Sequence, residues 1–478
     1  MNTPCFPVWR RKLAALGRRT THARQQSPVE LESQCSRFLS KRTLQPPVSG
    51  RRTRRRVFFL SRVFWCLVWQ VLQPRTPCRA VVRQVQAFCE TERHAFDEST
   101  SAYCQARQRL PLHCLQQALT DSAQAAERLS RQGVPGWNRP IKVVDGTGLR
   151  LPDTDANRNE YPYPTGQKPG CGFPVMKVLA LYSLASGAIL KTVTGPWQRH
   201  DARLFKEIWS ELQTGDVALG DRAFGGYVAL ASLPLRGVDL VSRLNQCRRI
   251  FRRHAKKIGP FEWLVIWTKP AQRPAYLTAE EWVAVPEQIT VRLIHVRAHC
   301  KGFRTQQFWI STTLLDPMAY PAEQLAQLYL LRWNMELCLR DLKTTMGMED
   351  LRCKSPAMLQ KELLAFLVAH NFMRCLIVEA ATTYAVPRTR ISFKGAVDAA
   401  RSFYQAMRLA GSRRNMRRLY CRLLEVLACD LVPLRPGRAE PRAVKRRPKP
   451  YQRLTKPRRI FKELAHRGNI RGVSRCLT

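Results

Sequence analysis

Acidic side chains are scarce in this chain: 35 Asp and Glu stand against 80 Lys and Arg in 478 residues, leaving a formal charge of +45. That excess goes far beyond what solubility needs and fits a polyanionic partner, because each Lys or Arg set on a phosphate releases a counterion and gains affinity. DNA or RNA is the first expectation. Long apolar runs are also lacking. Val57 to Leu72 is the one membrane candidate, but Arg62 interrupts it and the stretch from Val63 to Leu72 would cross about a third of a bilayer, so it reads as a buried helix and no membrane partner is expected. No apolar core follows Arg10, Arg11 and Lys12 before further arginines, which argues against a signal peptide. Sixteen cysteines are present without one Cys-x-x-Cys pair, which argues against a zinc module and suits a reducing cytoplasm. His295, His299 and Cys300 come nearest to a ligand cluster, but they fall on a strand and its turn and are read as structural.

What is present is a globular chain, 45% hydrophobic, with room for two or three domains. Residues 1–60 hold 14 Lys and Arg against two acids, and residues 437–478 another 14 against two. Both ends read as basic arms for non-specific contact with nucleic acid. Residues 1–56 show no sustained period and are expected to be a poorly ordered leader; residues 436–478 form a Pro/Arg-rich tail. Residues 57–135 have helical spacing and are expected to be a small helical DNA-binding domain.

From Ile141 the texture changes to short apolar runs: Ile141–Asp145, Val175–Leu184, Ile189–Thr194, Val217–Asp221 and Val238–Leu244. Leu184 to Ile189 reads as a hairpin turn, and amphipathic helices from Asp201 to Gln213 and from Gly226 to Leu235 separate the later strands. The expected fold is α/β, a mixed sheet flanked by helices, its first part spanning residues 136–245. Residues 246–316 read as a β-rich insert, with strands at Glu262–Trp267, Ile289–Arg297 and Gln307–Thr313. Helices resume at Pro321–Met346 and Pro356–Ala381, giving a second core part at 317–385, and a C-terminal helical region at 386–435 includes a helical segment from Phe393 to Cys429.

Cutting a phosphodiester at neutral pH needs a deprotonated nucleophile and charge relief on the leaving oxygen, which two Mg²⁺ or Mn²⁺ ions about 3.5–4 Å apart supply together. Carboxylate oxygens hold such hard cations. Asp145 and Asp221 each end a predicted strand of one sheet. A third acid comes from the predicted helix Glu323–Lys343, on which Tyr329, Arg332, Glu336 and Lys343 point in directions of about 0°, −60°, −20° and −40°. They form one polar stripe. Leu328, Leu331, Met335, Leu339 and Leu342 lie about 90° away, so the stripe runs beside a buried seam and is expected to face a cleft. The plain alternative for Glu336 is a surface ion pair with Arg332 or Arg340. Asp341 points to the other side of the helix, and Asp201 is read as an N-cap.

Five segments now carry a resemblance: Val144-Asp-Gly-Thr147, Leu151-Pro-Asp-Thr154, Gly170-Cys-Gly-Phe-Pro174, Leu219-Gly-Asp-Arg-Ala-Phe224 and Tyr329-x-x-Arg332-x-x-x-Glu336-x-x-x-x-x-x-Lys343. Together they resemble the transposases of family four of the bacterial insertion sequences, the last segment matching that family's Tyr-Arg-Glu-Lys signature at full spacing. Ser101-Ala-Tyr-Cys-Gln-Ala-Arg-Gln-Arg-Leu-Pro111 is similar to the segment before the family's catalytic domain. The resemblance covers roughly residues 57–435. It implies a ribonuclease H-like core interrupted by a mainly β insert, with Asp145, Asp221 and Glu336 as catalytic metal ligands and Tyr329, Arg332 and Lys343 on phosphates near the cut. It also implies cut-and-paste transposition: binding of terminal inverted repeats, 3′-strand hydrolysis, a hairpin at the transposon end, and joining to target DNA by a homodimer in the cytoplasm, on the nucleoid. Some members stack a flipped base on a Trp of the insert, for which Trp309 is the first candidate and Trp267 the second. A ribonuclease H-like nuclease without strand transfer, or a non-catalytic DNA-binding descendant, are the competing readings.

Overall fold

The computed structural model describes residues 31–45, 57–73, 75–89, 99–130, 138–167, 170–248, 255–297, 307–408, 410–434, 456–457 and 460–461. Its strands are β1 (Ile141–Arg150), β2 (Val175–Ser183), β3 (Ile189–Pro196), β4 (Val217–Gly220), β5 (Asp239–Arg243), β6 (Lys256–Gly259), β7 (Glu262–Thr268), β8 (Gln288–Arg297) and β9 (Gln307–Thr312). They form one sheet in the order β3-β2-β1-β4-β5-β9-β8-β7-β6. β3, β2 and β1 run antiparallel, while β1, β4 and β5 are parallel. The hairpin between β2 and β3 turns at Gly187, whose φ of 75° is left-handed. Parallel neighbours need crossovers, and the helices Asp201–Ile208 and Tyr227–Ser232 supply them. This is a mixed, helix-flanked sheet, as the resemblance implies for a ribonuclease H-like core.

The β-rich segment expected as an insert of its own is hydrogen-bonded into that sheet. β9 pairs antiparallel with β5, from Val241 opposite Thr312 to Arg243 opposite Ile310, and β8, β7 and β6 follow outward. A strand edge left open at β5 presents unpaired backbone groups, and β9 covers them. Arg292 on β8 is fully buried and fastens the junction. It pairs with Glu262 on β7 and donates to the carbonyls of Leu314, Asp316 and Tyr320, the last at 2.8 Å.

Side chains alternate across the sheet, so neighbours such as Val143 and Val144 enter different cores. The Val143 face is covered by the helices Leu60–Leu72, Leu112–Leu129, Ala322–Leu331 and Pro356–Thr383; the Val144 face by Asp201–Ile208 and Tyr227–Ser232. The helix Pro356–Thr383 is long and apolar enough to cross a membrane, and 94% of its most apolar window is buried inside the protein. It is a core helix, a second long apolar run besides Val57 to Leu72.

The N-terminal helices differ from the expected separate domain, because they share this core: Trp65 stacks on Phe372 at 5.6 Å. The described part of the leader is likewise packed. Cys35 and Phe38 are buried, Phe38 lies 6.3 Å from Phe372, and Asp121 accepts the backbone N–H of Ser40 at 2.8 Å and the hydroxyl of Thr43. Too few apolar residues occur there to show a period, yet two suffice to plug a gap between helices. Residues 1–30 and 46–56, and nearly all of the 436–478 tail, lie outside the described residues, as do His299 and Cys300. The segment from Phe393 to Cys429 is two helices, Phe393–Arg408 and Arg413–Cys429, parted near Gly411, which has a φ of 66°.

Candidate active site

β4 stops at Gly220 while its neighbour β1 continues to Arg150, paired beyond Val143 with β2 and, at Arg150, bridged to Asp350. Asp145 therefore lies in mid-strand and not at a strand end as the sequence suggested. Gly146 stays extended opposite Leu179 and does not turn the chain; the strand that ends is β4. Asp221 is the first residue past that end. Its Oδ1 accepts the N–H of Ala223 at 2.7 Å, closing a tight turn. A Cβ on Gly220 would meet Cβ of Phe224 at 2.9 Å, so only glycine fits beneath this turn.

The predicted single helix over Glu323–Lys343 is interrupted. Ala322–Leu331 and Trp333–Arg340 meet at Arg332, and a π turn follows at Asp341–Thr345, where Met346 N–H reaches Asp341 C=O at 2.9 Å. Leu331 beside the break is 38% exposed, whereas Leu328, Met335 and Leu342 are buried. A π turn at a functional helix is a common device for re-aiming side chains, and here it begins just after Arg340. Asp341 is buried on the far side and paired with Arg374 at 3.1 Å, away from the other acids as expected.

These elements enclose a solvent-open cavity of about 510 Å³. Asp145, Asp221, Glu336, Arg332 and Lys343 all line it. Arg340, Thr344 and Glu349 line it as well; the sequence signals only Arg340 among them, one turn beyond Glu336 on the predicted helix. Arg150 at the end of β1 pairs with Glu349 at 2.8 Å and Asp350 at 3.0 Å, tying the strand to the chain beyond the π turn.

Arg332 sits between two of the acids, donating to Glu336 Oε1 at 2.8 Å and lying 3.8 Å from Asp145 Oδ2. Burial pushes the Asp145 carboxyl up to about 6; Arg332 and the Gly146 N–H pull against this, and the nearby charges of Asp221 and Glu336 add to it. Burial strips solvent from Arg332 too, but Tyr329, Asp145 and Glu336 hold it firmly protonated. Its Nε is buried with no hydrogen-bond partner among the described residues. Tyr329 does not line the cavity. It is buried behind Arg332, whose guanidinium lies 5.8 Å from its ring centroid, and it packs on Phe308 at 5.2 Å.

Trp309 is not brought to the cavity. β9 sends Phe308 into the core that also holds Tyr329 and Val143, and Trp309 to the opposite face, where it stacks on His295 at 4.6 Å and lies 5.2 Å from Trp263. Trp267 is buried on that same face beneath Arg248. His200, not Asp201, caps the helix that follows, its Nδ1 accepting the Ala202 N–H at 3.1 Å; Asp201 pairs instead with Lys177 at 2.8 Å.

The chemistry of the donor set suits a hard divalent cation: three carboxylates lining one cavity, one of them pushed toward protonation by burial and, less, by its neighbours' charge, with an arginine as the nearest counter-charge. Among the described residues, no three of His, Cys, Asp and Glu already stand at the spacing of a formed metal cluster. Arg332 is the cation between Asp145 and Glu336 in this arrangement.

Comparison with known proteins bears on the same residues. The transposase DDE domain matches residues 136–372, a span that contains all three acids. The chain is 24% identical over 332 residues, 69% of its own length and 72% of the relative, to the transposase InsG of insertion sequence element IS4 from Escherichia coli K12. It is 28% identical over 176 residues, 36% of this chain and 58% of the relative, to the putative transposase InsZ of the same organism. Among solved structures, the piggyBac transposase in a synaptic complex with hairpin DNA aligns with a TM-score of 0.42 at 10% identity, over 87% of each chain. The sheet, the acid-lined cavity beside β1 and the matched sequence agree, and the chain belongs to the DDE transposases of the insertion-sequence IS4 type.

Proposed function

We infer that this protein catalyses cut-and-paste movement of an insertion sequence: it binds the terminal inverted repeats, hydrolyses the 3′ strand at each end, passes through a hairpin at the transposon end, and joins that end to target DNA. The observation that carries this reading is the convergence of Asp145, Asp221 and Glu336 on one cavity edged by Arg332, Arg340 and Lys343. DDE transposases as a family depend on divalent metal, and here Asp145, Asp221 and Glu336 would hold Mg²⁺ or Mn²⁺, two ions in all. When bound, such ions lower the pKa of the attacking hydroxyl and offset charge on the leaving oxygen.

The chain's own side chains supply the rest. Arg332, with an unused buried Nε, and Lys343 take phosphate oxygens, the first as a guanidinium fork and the second as a point charge. Tyr329 works from behind: its buried ring limits where Arg332 can go. Arg340 joins them as a third cation on the cavity wall. We propose no contact between Trp309 and the nucleotide being cut, since that indole faces the other side of the sheet. The active form is a homodimer on DNA in the bacterial cytoplasm, each protomer cutting an end held by its partner.

The test is cleavage and joining of a labelled transposon end with Mg²⁺ or Mn²⁺. Wild-type protein should release the 3′ end and transfer it to a target duplex, and Asp221→Asn and Glu336→Gln should do neither. Hydrolysis without joining would identify a nuclease of the same core. Full activity in either variant would remove these acids from the mechanism.

A further inference from the structure

The helix Arg413–Cys429 carries five arginines and a single acid, Glu425. At 100° per residue, Arg413, Arg417, Arg414 and Arg418 fall at about 0°, 40°, 100° and 140°, so four guanidiniums share one face over roughly 7.5 Å of axis. All four are exposed. Among the described residues none of them has a carboxylate within ion-pairing distance, whereas Arg422 on the same helix pairs with Glu425 at 2.6 Å. Some other described surface arginines do find acids: Arg150 with Glu349, Arg158 with Asp153, Arg199 with Glu207 and Arg401 with Asp398.

Like charges one helical turn apart repel and destabilise a helix. In a chain this poor in acids, four together without a counter-charge are a standing cost unless a polyanion offsets it. The helix is also firmly seated. Ser412 caps it by accepting the Asn415 N–H at 3.1 Å, Leu423, Leu424 and Leu427 are buried, and Tyr420 donates to Glu379 of the core helix Pro356–Thr383 at 2.6 Å. The basic face is thus held in a fixed orientation, apart from the residues that line the acid cavity.

We propose that this face is a second DNA-binding surface, which grips the phosphate backbone of duplex DNA outside the cleavage pocket. Guanidinium forks suit phosphate oxygens, and two rows about 6 Å apart along the axis can follow successive phosphates of one strand. The contact proposed is to phosphates, which carry no sequence information of their own. The proposal rests on the transposase reading only in taking the polyanion to be DNA.

The experiment measures binding of the full chain to a labelled duplex of arbitrary sequence across a salt series, in EDTA so that no cleavage enters. Each lost phosphate contact lowers the slope of log affinity against log salt by about 0.9. The quadruple variant R413A/R414A/R417A/R418A should therefore lose about 3 to 4 from the wild-type slope, and the corresponding quadruple Lys variant should keep it. If the alanine variant melts early, the exposed pair R414E/R418E gives the same reading with a further fall in affinity. An unchanged slope in a folded alanine or glutamate variant overturns the proposal. So does an unchanged DNA slope with lost binding to polyglutamate, which would assign the face to an acidic protein. Cleavage by wild-type protein with Mg²⁺ is scored separately, so failure of the transposase reading is not confused with failure of this one.

Discussion

The guanidinium of Arg332 donates to Glu336 at 2.8 Å while standing 3.8 Å from Asp145. One side chain thus neutralises part of the acid cluster and is also a candidate for holding DNA phosphate. It can do only one of these at full strength. Arg332→Gln should let the DNA-free protein bind Mn²⁺ more tightly, by roughly threefold or more, the scale of one partly exposed ion pair, while strand cleavage falls. Titration calorimetry checks the first part; equal or weaker Mn²⁺ binding would show that Arg332 does not compete with metal.

Asp145→Asn, Asp221→Asn and Glu336→Gln should each reduce cleavage by at least about a hundredfold, as expected where charge stabilisation at the reacting centre is removed. Asp145→Asn should at the same time raise the melting temperature of the metal-free protein, by about 2 °C or more. Burial and the charges of Asp221 and Glu336 disfavour the Asp145 carboxylate, and the amide carries no charge. A melting temperature lowered by this substitution would mean that the carboxylate stabilises the fold.

His370 is fully buried beside Phe393, with Arg374 Nε 3.4 Å from its Nε2. Burial, and then the charge of Arg374, push its pKa well below the usual 6.5. The folded chain keeps this ring neutral while the unfolded chain protonates it, so the contribution to stability is steady above about pH 6.5 and declines as pH falls below that value, by up to roughly 1.4 kcal/mol per pH unit. Asp145 and Asp341 are raised and act in the opposite sense at acid pH. The quantity to measure is therefore wild type minus His370→Gln in urea unfolding from pH 8 to 5, in which those groups cancel. A difference that does not change with pH would count against a neutral buried ring.

Arg292 and Glu262 bind the outer strands to the core. Arg292→Met leaves the Glu262 carboxylate, 13% exposed, without its partner, and should cost about 3 kcal/mol or more. The double variant Arg292→Met with Glu262→Gln should recover much of the loss. Denaturant melts of the two variants make the comparison, and equal stability of the single variant and wild type would show the pair to be dispensable.

Much of the sheet was readable from the sequence because burial writes itself as short apolar runs: β2, β5, β7, β8 and β9 each lie within a residue or two of the segments expected. The errors came where neighbours outweigh local signals. Asp145 looked like a strand end, but Gly146 after it stays extended, since β2 provides a partner along β1 as far as Arg150. Glu323 to Lys343 looked like one helix, but it is interrupted at Arg332 and gives way to a π turn after Arg340, while Tyr329 and Met335 on either side are buried in the shared core. Trp309 looked suited to stacking a base, but alternation along β9 turns it to the other face of the sheet from Phe308.

Residue identity and spacing by themselves determined the acids, the charge and the family resemblance, because ionisation and helix or strand period are properties of a local stretch of chain. Only the tertiary structure decided that β4 ends where β1 continues, that Arg332 stands between Asp145 and Glu336, and that the N-terminal helices and the outer strands belong to a shared core and sheet. Those outcomes depend on contacts between residues far apart in the chain, whose energies no local pattern records.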